Sequence, residues 1–222
     1  MKLVYPDWRT SIEFRENRIP IVVIERPEYY RQVIIELKGQ VLSGNGRFVL
    51  SEGNRILELN KWAEIVLSPF LIDMSDSRVI KRIYKQLEEV AKEEELVETR
   101  ELMGTIKHYL CRLSDYLGYE LVINDDIDLQ SLFKGSGIRP DHDDSNMVSA
   151  LVDYLDILRA LLNMELIILV NLGLYLTRDE LRAFYDTISK KKIRILMLEN
   201  RIDREIMSCE DVLTIDSDLC EI

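Results

Sequence analysis

Apolar residues fall in two textures along the chain. Toward both ends they come in short, dense runs: Ile21-Val22-Val23-Ile24, Ala63-Glu64-Ile65-Val66-Leu67, Leu166-Ile167-Ile168-Leu169-Val170 and Ile193-Arg194-Ile195-Leu196-Met197-Leu198. Runs of this length read as strands, and continuous apolar character is what a parallel strand covered on both faces requires. Pro27 suits the first turn of a helix reaching about Lys38, with Gly39 near its end. Gln40-Val41-Leu42-Ser43 and Arg47-Phe48-Val49-Leu50 flank Gly44-Asn45-Gly46, a pattern that predicts a hairpin. Thr177-Arg178-Asp179-Glu180 has capping-box form and opens a helix to about Ser189. Strand, helix, strand over 166–199 is a βαβ unit.

The middle of the chain differs. Val79, Ile80, Ile83, Leu87 and Val90, then Leu102, Ile106, Tyr109, Leu110, Leu113 and Leu117, recur at helical spacing. Glu93-Glu94-Glu95 between them marks a break, so the segment reads as a helical hairpin or one long bent helix. Asp144 or Ser145 caps a further helix with Met147, Leu151, Leu155, Leu158 and Leu162 on one face. The predicted class is therefore α/β. One domain is discontinuous, 1–73 plus 164–222, and a helical insertion, 74–163, interrupts it.

Composition adds limits. The 222 residues carry a net charge of −11, with 47% hydrophobic residues. The insertion carries −7 of that charge and the remainder −4. An acidic average argues against a generic basic nucleic-acid binder, but binding needs only a local basic surface. No apolar run approaches the ~20 residues of a membrane span, and no signal peptide is evident, so a cytoplasmic protein is expected. Cys111, Cys209 and Cys220 are widely separated and odd in number, which fits reduced thiols better than disulfides or a zinc knuckle.

A strand–helix opening invites a nucleotide-binding reading, but the chain contains no Gly-Lys dipeptide, so G-x-x-x-x-G-K-[ST] is absent. After Ile24 come Glu25-Arg26-Pro27-Glu28, two carboxylates where phosphate would sit. Two histidines, His108 and His142, exclude a multi-histidine metal site. Glu120, Asp125, Asp126 and Asp128 place four acids within nine residues. They read either as hard-cation ligands or as a solvated turn capping a helix that starts at Asp128. Arg78, Lys81, Arg82 and Lys85 share a helical face; Lys134, Arg139 and Lys190-Lys191-Lys192 are further cations.

Three stretches together resemble one family: Leu166-Ile167-Ile168-Leu169-Val170-Asn171, then Tyr175-Leu176-Thr177-Arg178-Asp179-Glu180, then Ile195-Leu196-Met197-Leu198-Glu199-Asn200-Arg201. They are similar to the small adaptation protein of type II-A CRISPR systems, the Csn-two family. The resemblance implies an α/β head of degenerate P-loop-ATPase type with an extended helical leg, and no enzymatic activity. It implies a calcium-binding, ring-shaped homotetramer threaded onto free ends of double-stranded DNA. It further implies a role in spacer acquisition beside the CRISPR integrase complex and the RNA-guided effector nuclease. By the same resemblance Lys81, Lys134, Arg139 and Arg201 face DNA, Asp125 lies on the calcium-binding segment, and Glu120, Asp126 and Asp128 accompany it. In that arrangement contacts go to phosphates, and the Debye length of roughly 10 Å at 0.1 M salt screens outward acids from a duplex inside a channel. Two other classes remain: a nucleotide-hydrolysing ATPase with a diverged phosphate loop, and a protein-docking scaffold without DNA binding.

Overall fold

The computed structural model describes residues 1–124, 127–141 and 146–222. Two short strands, β1 (Lys2–Val4) and β2 (Ile12–Glu13), precede β3 (Ile19–Ile24) and helix α1 (Pro27–Ser43). Then come β4 (Val49–Glu52), β5 (Arg55–Leu57), the one-turn α2 (Leu59–Trp62) and β6 (Ala63–Val66). Helices α3 (Ser77–Glu93), α4 (Leu96–Ser114), α5 (Leu129–Gly135) and α6 (Met147–Leu162) follow. The chain finishes with β7 (Leu166–Val170), α7 (Arg178–Lys190), β8 (Ile195–Glu199) and β9 (Glu210–Ile215).

The class is α/β. Five strands form a sheet in the order β6-β7-β8-β3-β9, and every pairing in it is parallel. Its first strand in the chain, β3, therefore lies inside the sheet, between the fourth and the fifth. A second, antiparallel sheet runs β2-β1-β4-β5. All five residues of β7 and of β8 are buried. Side chains alternate along a strand, and one set, Val22, Ile24, Leu166, Ile168, Leu196 and Leu198, packs with Val33, Leu37 and Val41 of α1 and with Tyr5, Phe48 and Leu50 from the antiparallel layer. Each such burial contributes roughly 1.5–3 kcal/mol.

The strands at 21–24, 63–66, 166–170 and 195–199 and the capping box stand where the residue pattern puts them. The Thr177 hydroxyl accepts from the Glu180 amide while the Glu180 carboxylate accepts from the Thr177 amide. The predicted hairpin at 40–50 does not form. Val33, Leu37 and Val41 fall at i, i+4, i+8, so burying Val41 carries α1 through Ser43. Gly44, not Gly39, is the left-handed cap, with φ 81° and its amide on the Gln40 carbonyl at 2.8 Å. Gly46 answers a different need: a Cβ there would lie 2.3 Å from the Gln40 side-chain oxygen. That space lets the buried Gln40 amide pair with both the N–H and the C=O of Phe48, at 2.9 and 2.7 Å. The hairpin lies further on, where Glu52 pairs with Arg55 across Gly53-Asn54.

The chain divides into two compact units: Met1–Asp73 with His142–Ile222, and Met74–Asp141. The sequence boundary at 163 is therefore too late. Helix α6 packs with α7 and belongs to the first unit. Its cap among the described residues is Asn146, whose side chain accepts from the amides of Val148 and Ser149; Asp144 and Ser145 lie outside them. In the second unit the break falls at Glu94-Glu95, as the acidic run predicts, and separates α3 from α4.

Candidate nucleic-acid interface

Three of the four cations singled out for DNA share the second unit. α3 meets α5 through Tyr84 and Phe133, whose ring centroids are 6.0 Å apart, and through Gln130, which donates to Glu88 at 2.6 Å. The Tyr84 hydroxyl reaches the Ile138 carbonyl at 3.4 Å. Lys81, Tyr84 and Glu88 are spaced i, i+3, i+7, one row of a helix. Lys81 thus extends the row that meets α5, and Lys134 and Arg139 sit beside Phe133 and Ile138 on the facing segment. All three are exposed, and none has an ion-pair partner among the described residues. Their neighbours are compensated: Arg78 pairs with Asp76, Lys85 with Glu89 and Lys92 with Glu88. Of the four helix-face cations, then, only part remains available. Among the described residues Arg82 meets no carboxylate, and its buried Nε has no hydrogen-bond partner. Arg201 is in the other unit, on the loop after β8, where it pairs with Asp203 at 2.8 Å.

The acidic candidates divide as well. Asp128 is the N-cap of α5, accepting from the Ser131 amide at 2.8 Å. Hydrogen bonds from Ser131 hold its carboxyl below the usual carboxylate range. Glu88 is held low in turn, chiefly by Lys92 and Gln130, against the nearby charge of Asp128. Glu120 is exposed. Asp125 and Asp126, like His142, lie outside the described residues. Among the described residues no group of three or more His, Cys, Asp or Glu side chains is gathered as a metal site. No helix among them is long and apolar enough to cross a membrane.

Helix α4 presents a surface without cover. None of its residues is buried within the described structure: Val97, Leu102 and Tyr109 are each more than half exposed, and Leu102, Tyr109, Leu110 and Leu113 share one helical face. His108 is an exposed residue of this helix.

In open α/β sheets ligands bind at the carboxyl ends of the strands. Here that end is occupied by the chain's own groups. Asn171, in the left-handed region at φ 53°, accepts from the Tyr30 hydroxyl at 2.8 Å and from the Asn200 amide at 3.1 Å. The Asn200 side chain donates to the Ile24 carbonyl at 2.7 Å. Glu199, 3% exposed, accepts from the Gly173 amide at 3.0 Å. Burial pushes its carboxyl up to about 7, against that hydrogen bond and the Arg204 charge. The other buried acid, Glu210, behaves oppositely. Burial opposes its ionisation, but Arg204, the Met207 amide and the Tyr185 hydroxyl outweigh that and hold it low. Sequence reasoning did not single out this pair of buried acids. A carboxylate closing an apolar run was the available signal for Glu199.

The comparisons with known proteins converge. A family model described as CRISPR-associated protein (Cas_Csn2) matches residues 40–219. A CRISPR-associated protein Csn2 from Enterococcus faecalis is 29% identical over 136 residues, which are 59% of this chain and 60% of that protein. The alignment thus spans less than two thirds of the relative's length. With a match that runs from the end of α1 to beyond β9, the chain belongs to the CRISPR-associated Csn2 family.

Proposed function

We propose that this chain acts in CRISPR spacer acquisition by holding free ends of double-stranded DNA, as a ring-shaped homotetramer stabilised by calcium. The observation that carries the reading, beside family membership, is the trio Lys81, Lys134 and Arg139. These are exposed cations of α3, α5 and the segment after it, without an ion-pair partner among the described residues, in a protein whose net charge is −11. Phosphate contacts of this kind release counterions and read no sequence. The exposed apolar face of α4 supports assembly with further copies, since an amphipathic helix gains most of its stability by covering that face. The proposed function is binding and not catalysis. In its favour, the β3–α1 turn is Glu25-Arg26-Pro27-Glu28 and the carboxyl ends of the strands are filled by Asn171, Asn200, Tyr30 and Glu199. The head is then a degenerate relative of P-loop ATPases, with the helical unit as its leg.

Calcium takes carboxylate oxygens, and Glu120, Asp125, Asp126 and Asp128 would hold it. Asp128 keeps Oδ1 for that purpose while Oδ2 caps α5. The ion supplies positive charge that neutralises the acids of the leg. The integrase complex and the RNA-guided effector nuclease are the proposed partners.

The test compares linear with covalently closed circular DNA, in calcium and in chelator, over a salt series. Retention of linear DNA alone, lost in chelator and falling steeply with salt, is expected. Equal capture of closed circles overturns end-threading, and magnesium-dependent ATP turnover would replace it with the ATPase reading. An absence of DNA retention with and without calcium would favour the docking scaffold.

A further inference from the structure

Five basic side chains gather around one cavity of the first unit, at the edge opposite the carboxyl ends of the strands. β3, β7 and β8 begin there, at Ile19, Leu166 and Ile195. A cleft of about 390 Å³ opens beside them, lined by Arg15, Arg18, Arg159, Lys192 and Arg194 with Glu16 and Glu165 among them, five basic side chains against two acids. Small-molecule sites run from about 300 to 1,000 Å³, so the space suits a small ligand.

The five cations are not equivalent. Arg18 is committed to Asp211 and to the carbonyls of Ser208 and Glu210. Arg194 pairs with Glu165 at 2.8 Å and with Glu52 at 3.3 Å. Arg15 pairs with Glu13 at 2.7 Å. Arg159 donates to the Lys191 carbonyl and meets no carboxylate within the described structure. Lys192 has no side-chain partner there at all. Two of the cleft's positive charges are therefore without a carboxylate partner among the described residues, while the other three already have acids, and Glu16 leaves the lining with a net positive charge.

Lys192 also stands at a backbone position where lysine is disfavoured. Its φ is 54°, and the left-handed region costs a side chain with a Cβ roughly 1–2 kcal/mol. Elsewhere the chain meets this geometry mainly with asparagine or glycine: Asn17, Asn163, Asn171, Gly44, Gly53 and Gly137. A strained residue held at a cavity wall is a reason to ask what its side chain does. The lysine keeps a charge at a place where asparagine would relieve the backbone.

From this cleft we infer a binding site for a phosphate monoester or oligophosphate, with Lys192 and Arg159 as the two groups that meet its charge. Arg159 presents a planar fork suited to two phosphate oxygens, and Lys192 a mobile point charge. Arg15 can turn from Glu13 toward the ligand, because that pair is exposed and held weakly. The site is independent of the α3–α5 cations and of calcium, and it does not depend on the ring.

Titration calorimetry on the full chain with pyrophosphate tests it, in calcium-free buffer at low salt. Saturable one-to-one binding is expected, weakened at least tenfold in Lys192→Asn and again in Arg159→Gln. Lys192→Asn suits the left-handed geometry, so the variant keeps or raises its thermal midpoint and a loss of binding cannot be a loss of fold. No binding to the wild-type protein, or equal binding to Lys192→Asn, overturns the assignment. Competition then separates the sources of the phosphate. Displacement of pyrophosphate by a 5′-phosphorylated oligonucleotide but not by its 5′-hydroxyl counterpart assigns the site to a strand terminus. Displacement by neither assigns it to a free oligophosphate. Equal displacement by both would mean a general polyanion surface and would refute a monoester site.

Discussion

The parallel sheet and the α3–α4–α5 segment invest their apolar side chains in opposite ways. In the sheet unit β7 and β8 are buried throughout, and α7 places Leu181, Phe184 and Ile188 wholly inside. In the helical unit α3 buries only Val79 among the described residues and α4 buries none. Both regions have amphipathic helices of ordinary length, so the difference is not one of secondary-structure propensity. It is that one set of helices has a sheet to cover and the other does not. The first unit draws its stability from its own interior, whereas the second keeps an apolar face that only another surface can satisfy.

The contrast can be broken most forcefully in the sheet. Phe184→Ala removes a fully buried ring, and chemical denaturation is expected to show a loss of about 3–5 kcal/mol. Next in size is Arg204→Met, which strands the Glu210 carboxylate in the interior. A cost of about 3 kcal/mol is expected, and a change under 1 kcal/mol would mean that Met207 and Tyr185 suffice. Glu199→Gln should act in the other direction and depend on pH. An acid raised from 4.5 to about 7 on folding contributes fully below pH 4.5 and loses that contribution as pH climbs through 7. The variant is therefore expected to match the wild type near pH 4 and to exceed it at pH 8 by about 3 kcal/mol, at 1.36 kcal/mol per unit. A flat difference across that range would remove burial as the cause. The smallest effect belongs to the helical unit. Leu110→Ser on α4 should change monomer stability by no more than about 0.5 kcal/mol, yet lower self-association measured by sedimentation. A large loss of monomer stability would mean that α4 is already covered.

The legible parts of the fold were those where one physical requirement dominates. Leu166–Val170 and Ile195–Leu198 are apolar because both faces are covered, and Thr177 with Glu180 announces a helix start. Strand β9 was hidden because it opens on Glu210-Asp211, and an acid reads as surface until Arg204, six residues earlier, is known to meet it. Strands β1 and β2 are too short to show a period. The Gly44-Asn45-Gly46 stretch misled because a helix cap and a hairpin turn use the same residues. Only the i, i+4, i+8 spacing of Val33, Leu37 and Val41 separates them. For the candidate interface, sequence spacing placed Lys81 on a helix, but that this helix packs on the segment carrying Lys134 and Arg139 became visible only with the Tyr84–Phe133 contact. The neighbouring carboxylates that neutralise Arg78 and Lys85 were in plain sight and carried no weight until paired.

The interior position of β3 sets an order of events during synthesis. Its neighbours are β8 and β9, and Ile19 finds its partner at Glu210, 191 positions later. At about 5–20 residues per second a ribosome needs roughly 10–40 s to deliver that partner. For most of that interval, until β8 is made, the first parallel strand waits without either neighbour, while α3, α4 and α5 emerge with local contacts already to hand. A strand made early is thus among the last to be paired, while β1, made before it, meets β4 within about fifty positions.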